Sequence, residues 1–159
     1  MMKQLLAALV CSAALLTPLA EAATPAAPDP AAVQALRDQI RTDKKKVVAD
    51  NMLLTAAEAD KFWPLYDQYE KAGAPVRQRL TLAMIDFVAV DAKLTNANAK
   101  RLVGEINAAE RDLLKLRASY FDKMAKAIPA AKAARFMQIE AKIDALLRFD
   151  QAATIPLAQ

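Results

Sequence analysis

The chain has no histidine, one cysteine (Cys11) and only two glycines in 159 residues. Each shortage closes a class of chemistry. Without histidine there is no imidazole base, no Ser/His/Asp set and none of the commonest metal ligation. Cys11 lies inside an N-terminal apolar run. Once that run is removed, no disulfide, thiolate nucleophile or cysteine metal site can be built. Two glycines are too few for a phosphate-cradling loop, and the scarcity of β-branched alternation argues against strands. An enzyme would have to run on Asp/Glu, Lys or Tyr alone. The expectation is therefore a protein without catalytic residues, cofactor or metal.

Met1 to Ala22 has the three parts of a secretory signal: Lys3 near the start, an apolar run from Leu5 to Leu19, and Ala20-Glu21-Ala22 as a cleavage site. The run is shorter than the ~20 residues a membrane span needs. Val10 stands where lipidation of Cys11 would want a small residue. The expectation is a signal peptide over residues 1–22, cleavage after Ala22 and a periplasmic or secreted location. Residues 23–30 are rich in Ala and Pro and read as a flexible lead-in, and 31–159 as a single all-helical domain. With 22 basic and 18 acidic residues the net charge is only +4, a mixed surface rather than a nucleic-acid stripe.

Ala, Leu, Lys, Arg, Asp and Glu dominate, which favours helix throughout. Asp29-Pro30 reads as a cap followed by proline at the first helical position. From there Val33, Leu36, Ile40 and Val47 carry an apolar stripe to about Asn51. The run Lys44-Lys45-Lys46 is expected to be a solvated face, because a helix spreads consecutive residues around its circumference. The next helix starts at Thr55, whose hydroxyl and the Glu58 carboxylate three residues on have the spacing of a capping box. Its first turns hold Phe62, Trp63, Tyr66 and Tyr69, where the core is expected to be fixed.

Pro64 is expected to kink this helix, and Gly73 and Pro75 make a second weak point. The periodic residues resume through Val76, Leu80, Met84, Phe87 and Val88, so one bent rod is favoured over two helices. Thr95 caps a third helix with a regular stripe of Leu102, Ile106, Ala109, Leu113, Leu116, Tyr120 and Met124. That helix stops at Ile128-Pro129. A fourth runs from about Ala130 to Ala152, and the apolar tail Ile155-Pro156-Leu157 either packs back or docks on a partner. The fold class is all-α: four or so helices built around a long antiparallel bent hairpin.

Two helix starts are alike. Leu54-Thr-Ala-Ala-Glu-Ala-Asp-Lys-Phe62 and Ile128-Pro-Ala-Ala-Lys-Ala-Ala-Arg-Phe136 place an apolar residue, a helix starter, a basic residue and phenylalanine at the same offsets. Two amphipathic helices with similar first turns would give this pattern by themselves. With the leader and the helical layout, the pair also resembles the Spy/CpxP-like periplasmic proteins, whose mark is a twice-occurring LTxxQ motif. Leu54-Thr55-Ala56-Ala57-Glu58 carries Glu for Gln. Ile128-Pro129-Ala130-Ala131-Lys132 lacks both the threonine and the amide. The resemblance implies a bent helical hairpin, pairing into a cradle-shaped homodimer, and ATP-independent holding of unfolded or partly folded envelope proteins, or sensing of envelope stress. The histidine ligands of metal-sensing members have no counterpart here.

An interaction protein is the functional expectation. Arg77, Arg79, Lys115 and Arg117 flanking Met84, Phe87, Phe121 and Met124 form the candidate partner-binding surface, since methionine repacks against varied apolar clients and arginine adds charge and stacking. Met84, Phe87 and Met124 also have the spacing of plain core. Thr55, Glu58, Phe62, Trp63, Tyr66, Pro129 and Phe136 are assigned to helix starts and core. The alternative is a structural or regulatory module docking on one envelope partner.

Overall fold

The computed structural model describes residues 29–90 and 94–154. The leader, the lead-in up to residue 28 and the apolar tail lie outside the described residues. Four helices make up the structure: α1 (Pro30–Met52), α2 (Ala56–Val90), α3 (Asn96–Ala127) and α4 (Ala130–Thr154). No strand occurs among the described residues.

The helix ends follow local chemistry. The Asp29 carboxylate accepts from the Ala31 amide at 3.0 Å, with Pro30 in the first turn. At α2 the capping box is reciprocal: the Thr55 amide donates to Glu58 Oε2 at 2.8 Å and the Glu58 amide to Thr55 Oγ1 at 3.4 Å. Thr55 and Glu58 are therefore structural, as expected. Thr95 Oγ1 accepts from the Asn98 amide at 3.2 Å. Ile128 is extended (φ −134°, ψ 165°) because Pro129 follows it, and the exposed Pro129 gives its carbonyl to the Ala133 amide as α4 starts. α2 runs as one helix through both Pro64 and Pro75.

An interruption that the sequence did not announce lies in α1. Asp43 leaves helical geometry (φ −152°, ψ 76°), and its carboxylate accepts from the Lys46 amide at 2.9 Å, capping the segment that follows. Before the break, Arg37 and Arg41 pair with Asp150 on α4; after it, Lys44 reaches both α2 and α4. The break lets one helix follow two neighbours. It also turns Lys44 inward, while Lys45 and Lys46 stay on the solvated face expected of the lysine run. Lys44 pairs with Glu70 and Glu140, Lys45 with Asp67, and Lys46 with Asp50.

α2 and α3 form an antiparallel hairpin, with Tyr69 against Tyr120, Gly73 opposite Leu116 and Arg79 paired to Asp112. In α2 the buried and half-buried positions Phe62, Tyr66, Tyr69, Gly73, Val76, Leu80, Ala83 and Phe87 alternate in steps of four and three. Leu102, Ile106, Ala109, Leu113, Leu116 and Tyr120 do the same in α3. A 3.5-residue spacing on both strands is a coiled-coil seam. Gly73 lies in it at a close approach, where a Cβ would come within 3.2 Å of Leu116 and displace the flexible end of Arg77. α4 packs along α3 and α1 along α4, and both cover the end of the hairpin near α2's start.

The main core sits at that covered end. Phe62, Tyr66, Tyr69, Tyr120 and Phe136 pack edge to face, with Phe62 and Phe136 centroids 5.3 Å apart and Tyr69 and Phe136 5.5 Å apart. Trp63 is half-buried against them, with Lys45 Nζ 5.2 Å from its ring. Full burial of each such ring stabilises the fold by about 1.5–3 kcal/mol.

The two similar helix starts meet here. Phe62 and Phe136 touch, and Glu58 and Lys132, which occupy the same motif position, form an ion pair with each other. Lys132 also donates to the Leu53 carbonyl at 3.0 Å, holding the left-handed residue (φ 53°) that ends α1. The Lys132 contact, followed by the Thr55 amide, holds the Glu58 carboxyl below its usual range.

A buried polar network crosses the core. Glu140 is 1% exposed, and its Oε2 accepts from Lys44 Nζ at 2.9 Å and from the Tyr69 hydroxyl at 3.1 Å. Lys44 Nζ also lies 2.8 Å from Glu70 Oε1, whose carboxylate holds Arg77 at 2.9 Å. Burial first, then the Glu140 carboxylate, pushes the Tyr69 phenol up to about 12. Arg117 pairs with Asp144, so all four helices contribute to this polar layer.

Candidate interaction surface

The ion pair furthest along α4 that ties it to α3 is that of Arg148, whose guanidinium donates to Glu110 at 3.0 Å; α4 itself ends at Thr154. Beyond that pair α2 and α3 continue as a two-helix arm. A second, smaller cluster holds it together: Leu80, Ala109 and Leu113, with Val76, Met84 and Ile106 packed on them. The seam uses positions 80, 83, 84 and 87 of α2. Among the described residues, apolar side chains at other positions of the arm are left about half exposed. Leu82 is 53% exposed, Ile85 56% and Val88 40%, and Val103 on α3 is 48% exposed. Leu82 and Ile85 fall on the side of α2 away from α3, by the 100° step of the helix.

The charge pattern matches. From Leu80 to Val90, LTLAMIDFVAV, the only ionisable residue is Asp86. On α3 the facing stretch, set by Arg79 against Asp112, holds Lys100, Arg101, Glu105, Glu110 and Arg111; Arg101 pairs with Glu105 and Glu110 with Arg148, each at 3.0 Å. The edge of the arm is pinned by Arg79 and Asp112; the Arg79 contact keeps the Asp112 carboxyl below its ordinary value. No protein-family model matches this chain, and neither a curated protein nor a solved structure does.

The residues expected to form a partner surface do not form one. Met124 is fully buried in the main core, and Phe121 is half-buried on the core's flank. Arg117 is turned to Asp144 on α4, and Arg77 to the Glu70 carboxylate and carbonyl. Met84 packs in the arm cluster and Phe87 is half-buried in the seam. Arg79 and Lys115 are exposed, Arg79 being committed to Asp112. The physical reason is that α4 lies over the α3 face carrying Arg117 and Phe121, so that face became interior. Phe62, Tyr66 and Phe136 are core, as expected.

Leu82, Ile85 and Val103 were missed. A signal existed: α2 has more apolar residues between 80 and 90 than a 3.5-residue seam can use, and the surplus must face outward. Among the described residues no group of three or more acidic, cysteine or histidine side chains could hold a metal ion. No helix among them is long and apolar enough to cross a membrane.

Proposed function

We propose that this chain is an exported, ATP-independent holding protein or envelope-stress adaptor that binds exposed apolar segments of other proteins through its two-helix arm. The observation that carries the reading is the row Leu82, Ile85 and Val88 on the arm, 40–56% exposed, in a stretch with one charge. Uncovered apolar surface of this kind marks an interaction site. An apolar face without a fixed polar pattern selects for greasiness rather than for one sequence, which suits varied clients. The likeness of the two helix starts to the LTxxQ pair of Spy/CpxP-like proteins supports the same reading, and so does the leader-like N-terminus. The arm also offers a second copy of the chain a face to pair with.

The test is aggregation of several unrelated denatured proteins in the presence of the purified chain, with sedimentation to count subunits. Wild type suppresses aggregation of more than one client. Leu82→Ser with Ile85→Ser removes roughly 1 kcal/mol per half-buried contact, so the concentration needed for protection rises about thirtyfold. Helix content stays unchanged, because neither side chain is in the seam. A chain inert toward every client, with one saturable partner, supports docking on a single envelope protein instead.

A further inference from the structure

A cavity of about 340 Å³ lies between α1 and α4, on the covered end of the molecule and away from the arm. It spans the break at Asp43: Leu36 and Ile40 line it from before the break, Val47 and Asn51 from after it. α4 supplies Ile139, Ile143 and Leu146, which complete an apolar floor. The ionisable residues of its lining are Arg135 and Lys142, both cationic, and no carboxylate is among the lining residues. Arg135 is oriented by donating its Nε to the Asn51 carbonyl. Lys142 is exposed and has no acidic partner among the described residues, whereas the other groove cation, Arg135, is anchored.

We propose that this groove binds a single-chain amphiphilic carboxylate, of the fatty-acid class, with the chain on the apolar floor and the carboxylate at Lys142 and the outer nitrogens of Arg135. Charge complementarity selects the occupant: two cations bordering an apolar floor match an anion with a greasy tail. Volume sets its size. At roughly 30 Å³ per atom-sized unit, the cavity takes about eleven, close to the size of a carboxylate with about ten carbons in all. It lies at the low end of small-ligand clefts and is too small for a two-chain lipid or a helix. The proposal is independent of the arm's role, since it uses none of its residues.

Decanoate below its micelle concentration is the probe, titrated calorimetrically and by the methyl resonances of the full chain. Decanol and acetate serve as the tail-only and head-only comparisons. The expected result is one saturable site for decanoate, with shifts at Ile139, Ile143 and Leu146, weaker binding of decanol and none of acetate. Lys142→Glu, on the surface, lowers decanoate affinity about fivefold or more while leaving decanol unchanged. Ile139→Trp fills the groove and removes both. If that variant loses helicity, Lys142→Glu alone decides. Equal affinity for decanoate and decanol, shifts confined to Leu82 and Ile85, or the absence of saturable binding overturns the proposal.

Discussion

Lys44→Ala isolates the most exacting contact in the core. Lys44 bridges Glu70 on α2 and Glu140 on α4, at 2.8 and 2.9 Å. Its removal affects the two carboxylates unequally. Glu70 keeps Arg77 at 2.9 Å, whereas Glu140, 1% exposed, is left with the Tyr69 hydroxyl alone. Breaking a buried pair by deleting one partner costs about 3–5 kcal/mol, because the other charge stays uncompensated. Against a total stability of roughly 5–15 kcal/mol this is a large fraction. With a urea slope near 1.5 kcal/mol/M, the midpoint by far-UV circular dichroism falls by about 2–3 M. Glu140→Gln alone stays within about 1 kcal/mol of wild type, since the amide still accepts from Tyr69 and Lys44 keeps Glu70. The double variant Lys44→Ala with Glu140→Gln recovers most of the loss, a coupling of about 2 kcal/mol or more. A Lys44→Ala midpoint within about 0.5 kcal/mol of wild type, or a double variant as unstable as Lys44→Ala, would falsify the view that Glu140 is a buried charge held by Lys44.

Two further outcomes follow from the fold. Leu53 sits in the left-handed region at φ 53° with an exposed side chain, so Leu53→Gly relieves backbone strain. The expected gain in urea unfolding is up to about 1 kcal/mol, and a clear loss would show that the side chain matters more than the backbone. Stability also depends on pH at both extremes. Glu58 and Asp112 lie below their ordinary values of 4.5 and 3.8, so the unfolded chain binds more protons there. Their contribution is complete above those values and is lost as pH falls below them. Glu58→Gln flattens the acid limb. Tyr69, raised from 10.0 to about 12, behaves in the opposite sense: its contribution is intact below pH 10 and is lost between 10 and 12. Its ultraviolet titration should coincide with loss of helix, and an earlier, non-cooperative titration would contradict its burial.

Local chemistry made the helices legible. Asp29-Pro30, Thr55 with Glu58, Thr95 and Ile128-Pro129 each satisfy or remove backbone groups within a few residues, so the sequence alone placed the four helix boundaries closely. Phe62, Tyr66 and Phe136 were readable as core because their apolar area has to be covered whatever the fold. Asp43 was not readable as a cap in the middle of α1, because its worth depends on Lys44 finding acids on two other helices. Likewise nothing local marks Glu140 as buried; only the approach of Lys44 and Tyr69 makes that tolerable.

The surface was the least legible part. Periodicity names an apolar stripe but not the helix that covers it, and here α4 covered Arg117 and Phe121 and, among the described residues, made no packing contact with the arm's α2. By itself, then, the sequence determined an all-helical chain, its caps, its aromatic core and its lack of histidine chemistry, all of which depend on neighbours a few residues away or on composition. Tertiary structure alone decided that Met124 is interior, which of α2's surplus apolar residues face water, and that a cationic groove opens beside the Asp43 break, because exposure is a property of what packs alongside.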